Sequence, residues 1–168
     1  MKILAIDPGS RVAGYAAIKV LENKVHYLGS GVIEYPKSVE FLDRVPVIFD
    51  ITKNFFQAFK FDILALESLI NVKNVNSLAK LSQARGALIS ALSFERTLKL
   101  FEYSPNMVKS SVTGFGHADK LSVQKSLEIL FKEKINFKTD DESDALAIAY
   151  CCAVSSNILE LKEKGIEV

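Results

Sequence analysis

Residues 2 to 34 hold three strand-like runs joined by turns too short to contain a helix, which confines the start of the chain to an antiparallel meander. Lys2 to Asp7 is a short apolar run that ends at an acid and reads as a buried strand. Pro8-Gly9-Ser10 is a turn signal, Ala13 to Val20 reads as a second strand, and Asn23-Lys24 turns the chain into a third, Val25 to Glu34. Periodicity then changes. Val47, Ile48, Ile51, Phe55 and Phe59 recur at helical spacing, predicting a helix from about Pro46 to Phe59 with the proline in its first turn. Phe61 to Leu66 is a fourth apolar strand closed by Glu67, Asn76 to Phe94 a long helix, and Leu98 to Tyr103 a fifth strand. Helices follow from Pro105 to Thr113-Gly114, from Ser122 to Phe131 and from Asp144 to Leu161. The order βββαβαβ followed by helices is α/β with a mixed sheet.

The two acids that close strands are the first chemical clue. An acid just after a buried strand sits at the rim of the sheet, where open α/β sheets place ligands. If the fourth strand adds beside the first in parallel through the intervening helix, Asp7 and Glu67 become neighbours. In Asp140-Asp141-Glu142-Ser143-Asp144, Asp141 and Asp144 are spaced i, i+3 and project from one face of a helix's first turn, where the helix dipole favours them. Taken alone, a D-x-x-D is usually a cap. Four carboxylates on one rim are another matter, because like charges at close range must protonate, separate or bind a cation. Oxygen ligands alone suit Mg²⁺ or Mn²⁺. Two such ions roughly 3.5–4 Å apart activate water and stabilise the leaving oxygen in phosphodiester hydrolysis.

The net charge of +1 across 168 residues decides nothing, but its distribution does. Between Asn71 and Ser90 stand Lys73, Lys80 and Arg85 with no acid, and between Pro105 and Lys138 six lysines face three acids. These are either ordinary solvated helix faces or two basic surfaces flanking an acidic centre. The start of the chain does not read as a signal peptide, no run is long enough to span a membrane, and the adjacent Cys151 and Cys152 read as buried thiols. A cytoplasmic protein is expected.

Ile6-Asp7-Pro8-Gly9-Ser10-Arg11-Val12-Ala13-Gly14-Tyr15 resembles the opening motif of the RuvC family of Holliday-junction resolvases. Further resemblance lies in Lys73-Asn74, Leu81, Gln83-Ala84-Arg85-Gly86, Tyr103-Ser104-Pro105 and Val108-Lys109. It continues in Val112-Thr113-Gly114, Gly116, Ala118-Asp119-Lys120, Val123-Gln124 and Asp144-Ala145-Leu146-Ala147. These motifs run in order from residue 3 to about 153. The resemblance implies one domain over residues 1–168 with an RNase H-like fold, a central five-stranded mixed sheet with helices on both faces. It implies a homodimeric endonuclease of recombination and repair that resolves four-way DNA junctions by symmetric, divalent-metal-dependent hydrolysis, and a branch-migration motor as partner. Asp7, Glu67, Asp141 and Asp144 match the metal-binding acids, and Lys109 and Lys120 match lysines near the scissile phosphate, Lys120 with a catalytic role. Ile70, Lys73, Asn74, Lys80 and Arg85 complete the expected DNA contacts. Where the family commonly has an aromatic three residues after the second acid, this chain has Ile70, a wedge without base stacking worth ~1–3 kcal/mol.

Other readings share part of this pattern. Another RNase H-like nuclease would share the acids but not the ordered motifs after Pro105. A junction-binding protein that cuts weakly or not at all would not need four intact carboxylates. The Gly-flanked Phe115, the neighbouring His117 and the small residues Ala84, Gly86, Ala87 and Ala91 of the long helix have both structural and binding readings. The small residues would admit a second helix in a symmetric dimer. The phenylalanines between Phe41 and Phe61 are expected to be mostly core.

Overall fold

The computed structural model describes residues 1–22, 24–70, 74–94 and 98–155. Three strands, β1 (Lys2–Asp7), β2 (Val12–Leu21) and β3 (Lys24–Glu34), form the antiparallel meander. Helix α1 (Phe41–Phe55) returns the chain to β4 (Ile63–Glu67), which lies parallel to β1, and α2 (Val75–Ser93) leads to β5 (Lys99–Tyr103), parallel to β4. The sheet order is β3-β2-β1-β4-β5. Helices α3 (Pro105–Thr113), α4 (Lys120–Phe131) and α5 (Asp140–Val154) complete the described chain. No helix among the described residues is long and apolar enough to cross a membrane.

Strand alternation sorts the sheet into two faces. Ile3, Ala5, Ile63 and Ala65 pack with Val108, Val123, Leu127 and the apolar side of α5. Leu4, Ile6, Leu64 and Leu66 pack with Ile48 of α1, Phe56 just after it, and Leu88 and Leu92 of α2. Helices thus cover both faces. Because alternation continues to the ends of the strands, Asp7 and Glu67 fall on the side occupied by α5.

Local chemistry sets most helix starts. Ser104 Oγ accepts from Met107 N at 3.3 Å ahead of Pro105, Asp119 Oδ1 accepts from Ser122 N at 2.8 Å, and Thr139 Oγ1 accepts from Glu142 N at 3.4 Å. The last of these corrects a boundary, since α5 begins at Asp140 rather than Asp144. Asp141 is therefore in the first turn and Asp144 in the second. The expected continuation of this helix beyond Ser155 lies outside the described residues.

Helix α1 corrects another. It starts at Phe41, with Pro46 inside it, and stops at Phe55 rather than Phe59. Pro46 is exposed and so is Leu42, whose carbonyl it leaves unbonded, so that carbonyl is on the solvent side. The buried Arg44 anchors the early turn. Its guanidinium donates to the Ser10 carbonyl at 3.2 Å, to the Lys37 carbonyl at 3.4 Å and to the Val39 carbonyl. Ser10 belongs to the turn that follows Asp7, so one side chain ties α1 to the acid-bearing end of β1. Replacing Arg44 by Met keeps the stem and removes the donors. It should lower the unfolding free energy by about 2 kcal/mol in urea titrations, because partly buried carbonyls lose a charged partner; a loss below ~1 kcal/mol would remove Arg44 as the anchor.

The aromatic residues of this region are less buried than expected. Phe56 is core, but Phe55 and Phe59 are 40% and 51% exposed and stack at the end of α1. A proline-shifted helix turns out its last apolar residues instead of burying them. In α2, Ala84 packs in the core that includes Leu4 and Leu64 and Ala91 is also buried, leaving Gly86 exposed and Ala87 half-buried.

Candidate metal and phosphate site

Asp7 and Glu67 end adjacent parallel strands, one residue beyond the paired Ile6 and Leu66. Across β1 and β2, Asp7 pairs with Gly14, and the missing side chain of Gly14 determines where α5 can go. A Cβ added there would lie 2.1 Å from the Asp141 carbonyl oxygen and 2.9 Å from the Asp141 Cβ. The first turn of α5 thus rests on bare sheet backbone beside Asp7. Glu142, buried against β3, accepts from Ser30 Oγ at 3.3 Å, and Ser30 in turn bonds Tyr27 at 2.8 Å. Together these contacts fix the helix whose Asp141 and Asp144 turn toward Asp7.

The electrostatics record the convergence. Asp7 is raised to about 7, first by burial and then by Asp144, Glu67 and Asp141, with Lys120 opposing. Glu67 is raised by burial and by Asp144 while Lys109 and Lys120 pull it down. Asp144 is raised by burial, opposed by Lys120 and reinforced by Asp140 and Asp141. Lys120 Nζ stands 3.2 Å from both Asp140 Oδ2 and Asp144 Oδ2, and these acids outweigh the effect of burial to raise it. Glu67, Asp144, Lys109 and Lys120 line one cleft between β4, α3, α4 and α5.

Among the described residues, no three carboxyl, imidazole or thiol groups are set to hold an ion with their side chains as placed. The four acids nevertheless act on one another, since Asp144, Glu67 and Asp141 all raise Asp7, and the Lys120 ammonium engages Asp144 and Asp140. A hard divalent cation fits this donor set. It matches all-oxygen ligands and offsets the burial and the neighbouring acids that together raise Asp7 to about 7.

The remaining expected residues are more dispersed. Ile70 is exposed just past Glu67, Asn74 caps α2 by accepting from Ser77 N at 3.1 Å, and Lys80 lies 5.5 Å from the Phe41 ring centroid. Arg85 is engaged by Glu102 of β5. Lys73 lies outside the described residues. Cys151 and Cys152 are both buried and free. The sequence reading missed three positioning residues. Gly14 carried a signal, a glycine inside a strand. Asp140, which shares Lys120, stood in the acid run, and Gln124, which donates to Ser143 Oγ at 3.2 Å, stood in the ordered motifs, but neither was given a role.

The model describing crossover junction endodeoxyribonuclease RuvC matches residues 3–152. The chain belongs to the RuvC family. It is 36% identical over 156 residues to RuvC of Thermosipho melanesiensis, covering 93% of this chain and 99% of that protein. It is 38% identical over 168 residues to RuvC of Salmonella paratyphi C, covering 99% and 95%. The solved structure of Thermus thermophilus RuvC in complex with Holliday junction substrate superposes with a TM-score of 0.83 at 25% identity, covering 95% of this chain and 96% of that one. The fold is accordingly RNase H-like, a mixed five-stranded sheet between helices. RuvC-family nucleases depend on divalent metal.

Proposed function

We propose that this chain is an endonuclease that resolves four-way DNA junctions by metal-dependent phosphodiester hydrolysis, and that residues 1–168 form one nuclease domain. The observation that carries the reading is the convergence of four carboxylates from β1, β4 and α5 beside two lysines, in a chain of the RuvC family. Asp7, Glu67, Asp141 and Asp144 would hold two Mg²⁺ ions, with Mn²⁺ able to substitute. When bound, such ions supply an activated water and neutralise charge developing on the leaving oxygen.

The chain's own side chains set the rest. Lys109 and Lys120 share the cleft with the acids, so their ammonium groups reach a phosphate laid there and stabilise charge gathering on its non-bridging oxygens. The acids on the strand ends hold their positions through the sheet, and Asp141 and Asp144 hold theirs through the packing of α5. The reading assigns attack in line, leaving a 5′-phosphate and a 3′-hydroxyl. A homodimer would present two such centres and explain paired cuts on strands of like polarity. The exposed side of α2, with Gly86 and Val75, is available for it. Cytoplasmic location and coupling to a branch-migration motor complete the reading.

Incubation with a synthetic four-way junction, a linear duplex and an RNA–DNA hybrid, in Mg²⁺ and in chelator, tests it. Paired nicks confined to the junction and to Mg²⁺ are expected. Preferred cutting of the hybrid, or a junction bound but left intact in Mg²⁺, would overturn it.

A further inference from the structure

Phe115 is, at 61% exposure, the most exposed phenylalanine among the described residues, yet the turn that holds it is tightly bonded. Helix α3 ends in Gly114, whose φ of 79° reverses the chain. Thr113 Oγ1 donates to the Lys109 carbonyl at 2.9 Å and accepts from Phe115 N at 3.1 Å. The Phe115 carbonyl accepts from Ala118 N at 3.2 Å, and Ala118 is buried. Gly116 lies so close to α3 that a Cβ there would approach the Asn106 carbonyl to 3.2 Å. Immediately beyond this turn, Asp119 caps α4 and Lys120 reaches into the acid cluster.

We propose that Phe115, met edge-on by His117 at 5.8 Å, is a stacking site for an unpaired nucleobase beside the branch point. The proposal rests on the junction-cutting function above. A phenyl ring left in water forgoes burial, and a free loop would fold it inward. Here the turn holds it out on the same rigid segment that positions Lys109 and Lys120. The other exposed phenylalanines are differently employed: Phe55 and Phe59 pack on Phe56, and Phe94 lies under Lys53 and against Phe49. A ring on the turn between the helices that bring Lys109 and Lys120 to the acid-lined cleft suits a nucleic-acid strand better than an apolar protein face. Every base has a π-face, so such a site holds a displaced base without reading its identity. Ile70, the exposed apolar residue beyond β4, has no ring to offer.

Junction binding measured in chelator, by fluorescence anisotropy, tests this with protein and DNA changed together. A single abasic nucleotide is moved through the positions around the branch point, and each junction is titrated with the native chain, Phe115→Leu and Phe115→Trp. At one position the missing base should weaken native binding about tenfold, within the range of one base–aromatic stack. Phe115→Leu, which keeps apolar bulk, should weaken binding to the intact junction about equally and show no further loss at that position; Phe115→Trp should restore it. Phe115→Leu binding the intact junction within twofold of the native chain, or losses that multiply at every position, would overturn the site while leaving the cutting function in place. A native chain that binds no junction would overturn both.

Discussion

An Asp7→Asn chain is expected to lose roughly a thousandfold or more of its junction-cutting rate while binding the junction as the native chain does. Asp7 is the acid that feels the other three, so its loss removes the common ligand of the proposed ion pair without touching the lysines that meet phosphate. The same substitution has a second, opposite consequence for stability. The Asp7 carboxyl is raised from 3.8 to about 7, first by burial and then by neighbouring acids. A carboxyl that holds its proton more tightly folded than unfolded supports the fold at low pH. That support is lost as pH climbs from about 4 through 7. A difference of about 3 pH units is worth on the order of 4 kcal/mol. In chelator, the native chain should therefore lose stability across this window, while Asp7→Asn stays flatter and exceeds it at pH 8. Millimolar Mg²⁺ should restore the native chain alone. Urea titrations between pH 4 and 8 measure this, and parallel profiles for the two chains would take Asp7 out of the crowded centre. Persistent cutting by Asp7→Asn would end its role as the central ligand.

Gly14→Ala should be nearly as damaging to cutting, although Gly14 offers no chemical group. The added Cβ would lie 2.1 Å from the Asp141 carbonyl oxygen and 2.4 Å from its carbon, and both partners are backbone. No side-chain rotation relieves such a contact. Either β2 buckles or the first turn of α5 lifts, and the buried run from Ala145 to Ala153 resists the second movement. The expected cost is about 1–3 kcal/mol of stability, typical of overpacking. Displacing Asp141 by ~1 Å should cost about a hundredfold in cutting. Comparing cutting rate, junction affinity and urea midpoint separates these effects. A Gly14→Ala chain that cuts within threefold of the native rate would show that the placement of Asp141 tolerates such a shift, or that Asp141 is not a ligand.

Most elements were legible because their signals are local. An apolar run closed by an acid defines β1 and β4, and Ser104-Pro105 and Thr113-Gly114 bracket α3, whereas Lys24, expected in the turn, already belongs to β3. The parallel placement of β4 beside β1, which the sequence admitted as a condition for bringing Asp7 and Glu67 together, is the one observed. Helix α1 was misplaced at both ends because its start depends on Arg44, whose three carbonyl partners are scattered between Ser10 and Val39. Likewise the start of α5 was set by a Thr139 cap that competed with five polar residues in succession for the same role.

By itself, the sequence determined the inventory and order of the strands, the four candidate acids and the family, since periodicity, turn chemistry and ordered motifs are properties of neighbouring residues. The tertiary structure alone decided which face of the sheet receives Asp7 and Glu67. It also decided that Lys120 is shared by Asp140 and Asp144, and that a glycine in β2 admits the backbone of α5. Those outcomes depend on distances between separate elements of the chain, the farthest apart in sequence being Gly14 and Asp141, and only the packing of a complete core fixes such distances.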